Sequence, residues 1–179
     1  MTGRSIAKKT ALLGIMAALI IAGKAALTAV ANVEVVSLFC ALFGYVFGPI
    51  AIIPTCVFIL VEAVFWSSIS YPSWIVAYVI HFNLIVIVFW LLSKVRLRTP
   101  IVFTAVIAFM TFCFGVIEAF FAVIPVSTDY SNFIWRFGIY YGRGVPFCVV
   151  HIVSNTAIFF ILFYPLKELL IRLKQMMLL

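Results

Sequence analysis

Acidic side chains are almost missing from this sequence: five of its 179 residues are Asp or Glu, and charged residues of both signs make up 9%. Soluble domains carry about 25% charged residues, so a fold that meets water over its whole surface is excluded. Also missing are the GxxxxGK[ST] phosphate loop, the GxSxG nucleophile elbow and the HExxH zinc helix, so ATP hydrolysis of the P-loop kind is not expected. Ser154 follows His151 by three residues, but nothing in the pattern supplies an oxyanion hole. The sequence therefore reads as a protein without enzymatic activity and without a cofactor. Cys40, Cys56, Cys113 and Cys148 form neither a CxxC pair nor a Cys/His cluster. Neither a metal site nor a disulfide framework is indicated, and the four read as small packing residues. Internal repeats and low-complexity segments are also lacking, so residues 1–179 are expected to form one domain.

What is present is apolar. Hydrophobic residues make up 67% of the chain, and the mean hydropathy is +1.32. The expected fold is an all-α integral membrane protein, a bundle of six transmembrane helices over about 6–30, 33–48, 50–67, 73–93, 100–124 and 145–171. The first is read as a retained span, because it has no convincing cleavage site. The second and third are short and meet at Gly48-Pro49, with Pro54 expected to kink the third. Residues 67–73 read as an outer turn. The longest connection, 125–144, carries Trp135, Arg136, Tyr140, Tyr141 and Arg143, which suits an interfacial helix or a lid over a ligand.

The formal charge is +7, and Lys and Arg number twelve. Nine of them, Arg4, Lys8, Lys9, Lys94, Arg96, Arg98, Lys167, Arg172 and Lys174, fall at boundaries that alternating topology puts on one face. The positive-inside rule makes that face, with both termini, cytoplasmic. The excess charge is explained by flanks that meet anionic lipid, so no nucleic-acid partner is expected.

Helical rise places the intramembrane polar groups by depth. Glu62 stands about 18 Å, and Glu118 about 26 Å, from the cytoplasmic ends of their helices, with Lys24 at a similar outer depth. His151, His81 and Asn155 lie about 9, 12 and 15 Å in from the outside, and Glu34 sits just beyond the first span. All converge on the outer half. A charge facing lipid at the centre of a helix costs about 2.5–3.5 kcal/mol, so these groups are expected to face the interior. Lys24 can pair with Glu62 or Glu118, but one internal pair leaves charges over, and Glu34, Arg143 or a ligand must complete the set. Aromatic residues share their helix faces: Phe58 and Trp66 with Glu62, Phe114 and Phe121 with Glu118, Trp74 and Tyr78 with His81, Phe147 with His151 and Asn155. Aromatic walls with a few polar groups suit a flat organic ligand, and the carboxylates favour a neutral or cationic one. The candidate binding residues are Glu34, Glu62, Trp66, Trp74, Tyr78, Glu118, Tyr141, Arg143, His151 and Asn155. Gly14, Ala18 and Ala22, with Ala26, put small residues on one face of the first helix, either for packing inside the bundle or for docking a second membrane protein.

The alanine-rich first helix, Asn32-Val33-Glu34-Val35-Val36-Ser37-Leu38, Phe47-Gly48, Gly144-Val145-Pro146-Phe147 followed by His151 and Asn155, and the closing Tyr164-Pro165-Leu166 come in an order that resembles the substrate-binding S-components of energy-coupling factor (ECF) transporters. The resemblance spans nearly the whole chain. It implies a six-helix protein of the bacterial plasma membrane that binds a vitamin or related micronutrient near the outer face. It further implies partners, a membrane coupling subunit and two cytoplasmic ATPases, with Gly14, Ala18 and Ala22 meeting the coupling subunit. The outer loops after spans one, three and five would cover the ligand. The acidic cluster suits a nitrogen heterocycle such as a B6 vitamer. Two other classes compete: a self-sufficient carrier that relays protons through Lys24, Glu62, Glu118 and His81, and an assembly subunit without a ligand.

Overall fold

A computed structural model describes residues 3–66, 73–95 and 99–176; the side chains of residues 3–5 and 66 are outside the description. The described residues are all-helical: α1 Gly3–Ala26, α2 Val36–Phe47, α3 Ile52–Trp66, α4 Ser73–Leu92, α5 Pro100–Val123 and α6 Tyr130–Met176, with a short 3-10 turn at Gly48–Ala51 between α2 and α3. Five stretches are long and apolar enough to cross a membrane, and one of them, Val36–Phe65, joins α2 to α3. Five stretches of spanning length thus stand among the described residues where six spans were expected. The 12 residues of α2 and the 15 of α3 rise about 18 and 22 Å, short of a hydrocarbon core of about 30 Å.

Val36–Phe65 is not straight, however. Fifteen residues of continuous helix would separate Cys40 from Thr55 by about 22 Å, yet Cys40 Sγ lies 3.6 Å from Thr55 Oγ1. The chain doubles back at Gly48, whose φ of 80° falls in the left-handed region that glycine enters without a Cβ clash. Pro54 does not kink α3. It occupies the third position of the helix, where a backbone N–H would have no partner within the helix to lose.

The connection expected over 125–144 is corrected as well, because α6 begins at Tyr130. Asp129 caps it: Asn132 N–H donates to Asp129 Oδ1 at 2.8 Å, which satisfies one of the orphan donors of the first turn. That bond holds the Asp129 carboxyl below its ordinary range. The helix then runs 47 residues through Pro146 and Pro165. The expected turn at 67–73 lies outside the described residues, Ser73 apart, as do Arg96, Arg98 and the side chain of Arg4.

The two ends of the bundle differ. Towards the α2–α3 turn, Phe89, Phe103, Phe159 and Phe163 are almost wholly buried, with Phe159 stacked on Phe163 at 4.4 Å between centroids. Gly44 brings α2 against α4 so closely that a Cβ there would sit 2.5 Å from the Val86 carbonyl oxygen. Basic residues ring this end. Lys174 Nζ donates to the Val46 carbonyl at 2.6 Å, Lys94 stands 5.4 Å over Trp90, and Lys167 stands 4.4 Å over Tyr164. Around the flanks Leu60, Val64, Phe65, Ile101 and Phe109 are each more than 60% exposed, apolar surface that suits a lipid environment.

Candidate functional site

The opposite end of the bundle is hollow. A cavity of about 380 Å³ is lined by the end of α1, the α1–α2 connection, the outer turns of α3 and α4, Phe114 of α5 and His151 of α6. Of the residues expected to bind a ligand, Glu34, Glu62, Trp74, Tyr78 and His151 line it, joined by Lys24 and His81. Its walls are rings in contact, with Trp74 against Tyr78 at 5.2 Å, His81 against Phe114 at 4.9 Å and Phe114 against His151 at 5.7 Å.

Glu34 is only 6% exposed, and its carboxylate is spent on the fold. Ser37 N–H donates to Oε2 at 2.9 Å and Asn155 Nδ2 donates to Oε1 at 2.9 Å. His151 Nε2 approaches Oε1 at 3.6 Å, an ion-pair separation longer than a hydrogen bond. Burial pushes this carboxyl up, but the His151 imidazole and the Ser37 N–H outweigh it and hold it at about 2. Asn155 lies beneath the cavity rather than in its wall, and its amide also donates to Thr111 Oγ1 at 3.2 Å. One helical turn of α6 completes the fastening: Ser154 Oγ donates to the Asn32 carbonyl at 2.9 Å. Asn32 itself holds a φ of 59°, a left-handed conformation that asparagine tolerates better than most residues. The α1–α2 connection is thus pinned over the cavity by side chains of α6. Ser154 Oγ also lies 3.1 Å from the His151 carbonyl, so it serves the backbone on both sides.

Trp74 Nε1, His81 Nε2 and His151 Nε2 are buried without a hydrogen bond. His151 keeps its ion-pair contact with Glu34, whereas the His81 side chain is almost completely enclosed, at 2% exposure. Among the described residues no ion pair within 4 Å joins Lys24 to Glu62 or Glu118, so the internal pairing open to Lys24 is not made. A buried polar atom left unsatisfied costs about 1–3 kcal/mol, and three around one hollow is what a polar ligand would relieve.

Glu118, Tyr141 and Arg143 do not line this cavity. They face a second, of about 880 Å³, between α5 and the first turns of α6. The two helices stay in contact along this wall, at Gly115 and Cys148 and at Phe120 and Phe133, and Tyr140 O–H donates to Glu118 Oε1 at 2.8 Å. Asn32, Phe114 and His151 line both cavities. The side chain of Trp66 is outside the description.

Sequence reasoning passed over Thr111, whose Oγ1 accepts from Asn155, and the Ser37 backbone N–H, which donates to Glu34. A helical threonine usually bonds its own backbone, as Thr111 does to the Ile107 carbonyl at 2.9 Å, and a backbone donor leaves no mark in the side chain, so neither advertises its role. His81 drew notice for its depth but was not counted among the binding residues. Groups of three or more metal-ligating side chains are absent among the described residues. Gly14, Ala18 and Ala22 are exposed, and a Cβ built on Gly14 meets nothing within 4 Å. Of the two uses open to these small residues, packing inside the bundle is not the one realised. Compared with family models, curated proteins and solved structures, the chain matches none.

Proposed function

We propose that this protein is the substrate-capture subunit of an ATP-driven importer of the ECF type, which takes up a vitamin or related nitrogen heterocycle. One observation carries the reading. Two buried ring nitrogens without partners, on Trp74 and His81, and a third on His151 that only the Glu34 carboxylate approaches, at 3.6 Å, surround a cavity of about 380 Å³ at the end of the bundle away from Lys94, Lys167 and Lys174. That volume suits a compact organic molecule, and the aromatic walls suit a flat one. Counting α2 and α3 as two short, tilted spans gives six crossings. The basic end around Lys94, Lys167 and Lys174 then faces the cytoplasm by the positive-inside rule, and the cavity faces outwards.

In this reading Glu62 and the ring nitrogens orient the ligand, Tyr78 and Trp74 enclose it, and Glu34 holds the cover in place. Energy comes from elsewhere, since the sequence has no phosphate-binding loop. The exposed Gly14, Ala18 and Ala22 face would receive the coupling subunit, which two ATPases drive from the cytoplasm.

The test is thermal stabilisation of the detergent-purified chain by a panel of vitamins and their precursors. A ligand at 100 times its Kd adds about 2.7 kcal/mol. Selective stabilisation by one compound, lost in His81→Phe, is the expected result. A folded chain that no compound stabilises would remove the capture reading.

A further inference from the structure

The two cavities meet at Asn32, Phe114 and His151, and their formal charges differ in sign: Glu34 and Glu62 outnumber Lys24 in the first, and Arg136 and Arg143 outnumber Glu118 in the second. In the first, the Glu62 carboxylate makes no hydrogen bond or ion pair among the described residues, while Glu34 is fully engaged by Ser37 and Asn155. In the second, the one carboxylate, Glu118, accepts from Tyr140. Arg136 and Arg143 there have no carboxylate within 4 Å among the described residues; Arg136 Nε donates only to Asn132 Oδ1, at 2.8 Å. The two arginines are seven residues apart on α6, so they stand on one face, about 10 Å apart along its axis. Phe147 and His151 continue that face inwards to the first cavity. Interfacial anchoring accounts for an arginine beside Trp135 and Tyr140, but not for two arginines without a carboxylate partner whose face leads along a cavity wall to His151 and the first cavity.

We propose that the two cavities form one site and that its ligand is a molecule of two parts: a hydrogen-bonding heterocycle seated by Trp74, His81 and Glu62, and a phosphate-ester arm held by Arg143 and Arg136. This rests on the substrate-capture reading and narrows its ligand from a compact neutral or cationic ring to a dipolar, elongated compound. The guanidinium fork is matched to an oxyanion with two acceptors, and Phe114 and His151 supply a waist between the ring and its arm.

The test uses the full chain in detergent and compounds in matched pairs: pyridoxamine and its 5′-phosphate, thiamin and its monophosphate, riboflavin and its 5′-phosphate. Binding is read by thermal shift and calorimetry. At least one phosphorylated member is expected to bind about tenfold or more tighter than its partner, and Arg136→Gln/Arg143→Gln is expected to erase that preference while the unphosphorylated member binds unchanged. Both arginines are exposed, so the variant should fold, and its thermal midpoint without ligand checks this. Equal binding within every pair, or a preference that survives in the variant, overturns the two-part ligand and leaves the capture reading standing. Inorganic phosphate or phosphatidylglycerol that stabilises as well as the phosphate esters also overturns it, since the arginines would then hold a free anion or a lipid headgroup. A folded chain that responds to none of the compounds overturns the two-part ligand together with the capture reading.

Discussion

The two ends of this bundle are built from the same kinds of side chain with opposite results. At one end Phe89, Phe103, Phe159 and Phe163 lie within about 4.4–6.0 Å of one another and leave no polar atom among them. At the other, Trp74, Tyr78, Phe114 and two histidines stand at similar ring separations but enclose a hollow. Phenylalanine has no hydrogen bond to satisfy, so it can close on itself. Tryptophan and histidine bring a polar nitrogen that closing would strand. The first end holds the helices together, and the second keeps a vacancy open at a cost in stability.

That contrast is broken most severely at the packed end. Phe163→Ala should lower stability by about 3–5 kcal/mol, the usual cost of truncating a buried aromatic ring, read as a fall in the thermal midpoint of the detergent-purified chain. An unchanged midpoint would mean that the aromatic cluster is not the main clasp. Next in size is acidification. The Glu34 carboxyl is held at about 2 when folded, below its ordinary value of 4.5, so its contribution is present above about pH 4.5 and is lost as pH falls towards 2. The whole span is worth on the order of 3 kcal/mol. Comparing Glu34→Gln with the parent between pH 6 and pH 3 isolates it, because the variant should lack this part of the dependence.

At the hollow end the sign should reverse. His81→Phe removes a stranded nitrogen and keeps the ring, so stability should hold or rise by up to about 1 kcal/mol while binding of the capture ligand disappears. A large loss of stability would show that His81 is a structural group. The smallest effect is expected outside both regions. Gly14→Leu adds a side chain where nothing lies within 4 Å and should move the thermal midpoint of the isolated chain by no more than about 0.5 kcal/mol equivalent. In the proposed importer the same change should prevent co-purification with the coupling subunit.

Much of the helical layout was legible. α4 and α5 lie within a residue or two of the hydropathy segments, because long apolar runs between turn residues have one solution in lipid. The start of α6 was not, because the aromatic and cationic residues of 130–144 look like a loop to hydropathy; the cue was Asp129, a capping residue read as part of a connection. Pro54 misled because its effect depends on where α3 begins, which the doubling back at Gly48 decides.

Depth was the strongest guide to the site. Rise per residue placed Glu62, His81 and His151 at one level, and they do share a cavity. It could not separate Glu118 from them, since Glu118 lies to the side, on the second cavity, and rise carries no lateral information. Nor could it distinguish the engaged carboxylate of Glu34 from the unengaged one of Glu62, which depends on partners more than a hundred residues away such as Asn155.

Ser154 and Asn155 of α6 fasten the α1–α2 connection, whereas the unsatisfied nitrogens on α4 fasten nothing. For anyone who wishes to alter this cavity, the walls are therefore unequal. Trp74, Tyr78 and His81 form a palette that can be randomised in a library with the scaffold intact. The turn from His151 to Asn155 is closer to a keystone, and diversity introduced there would be spent on chains that no longer assemble their own roof.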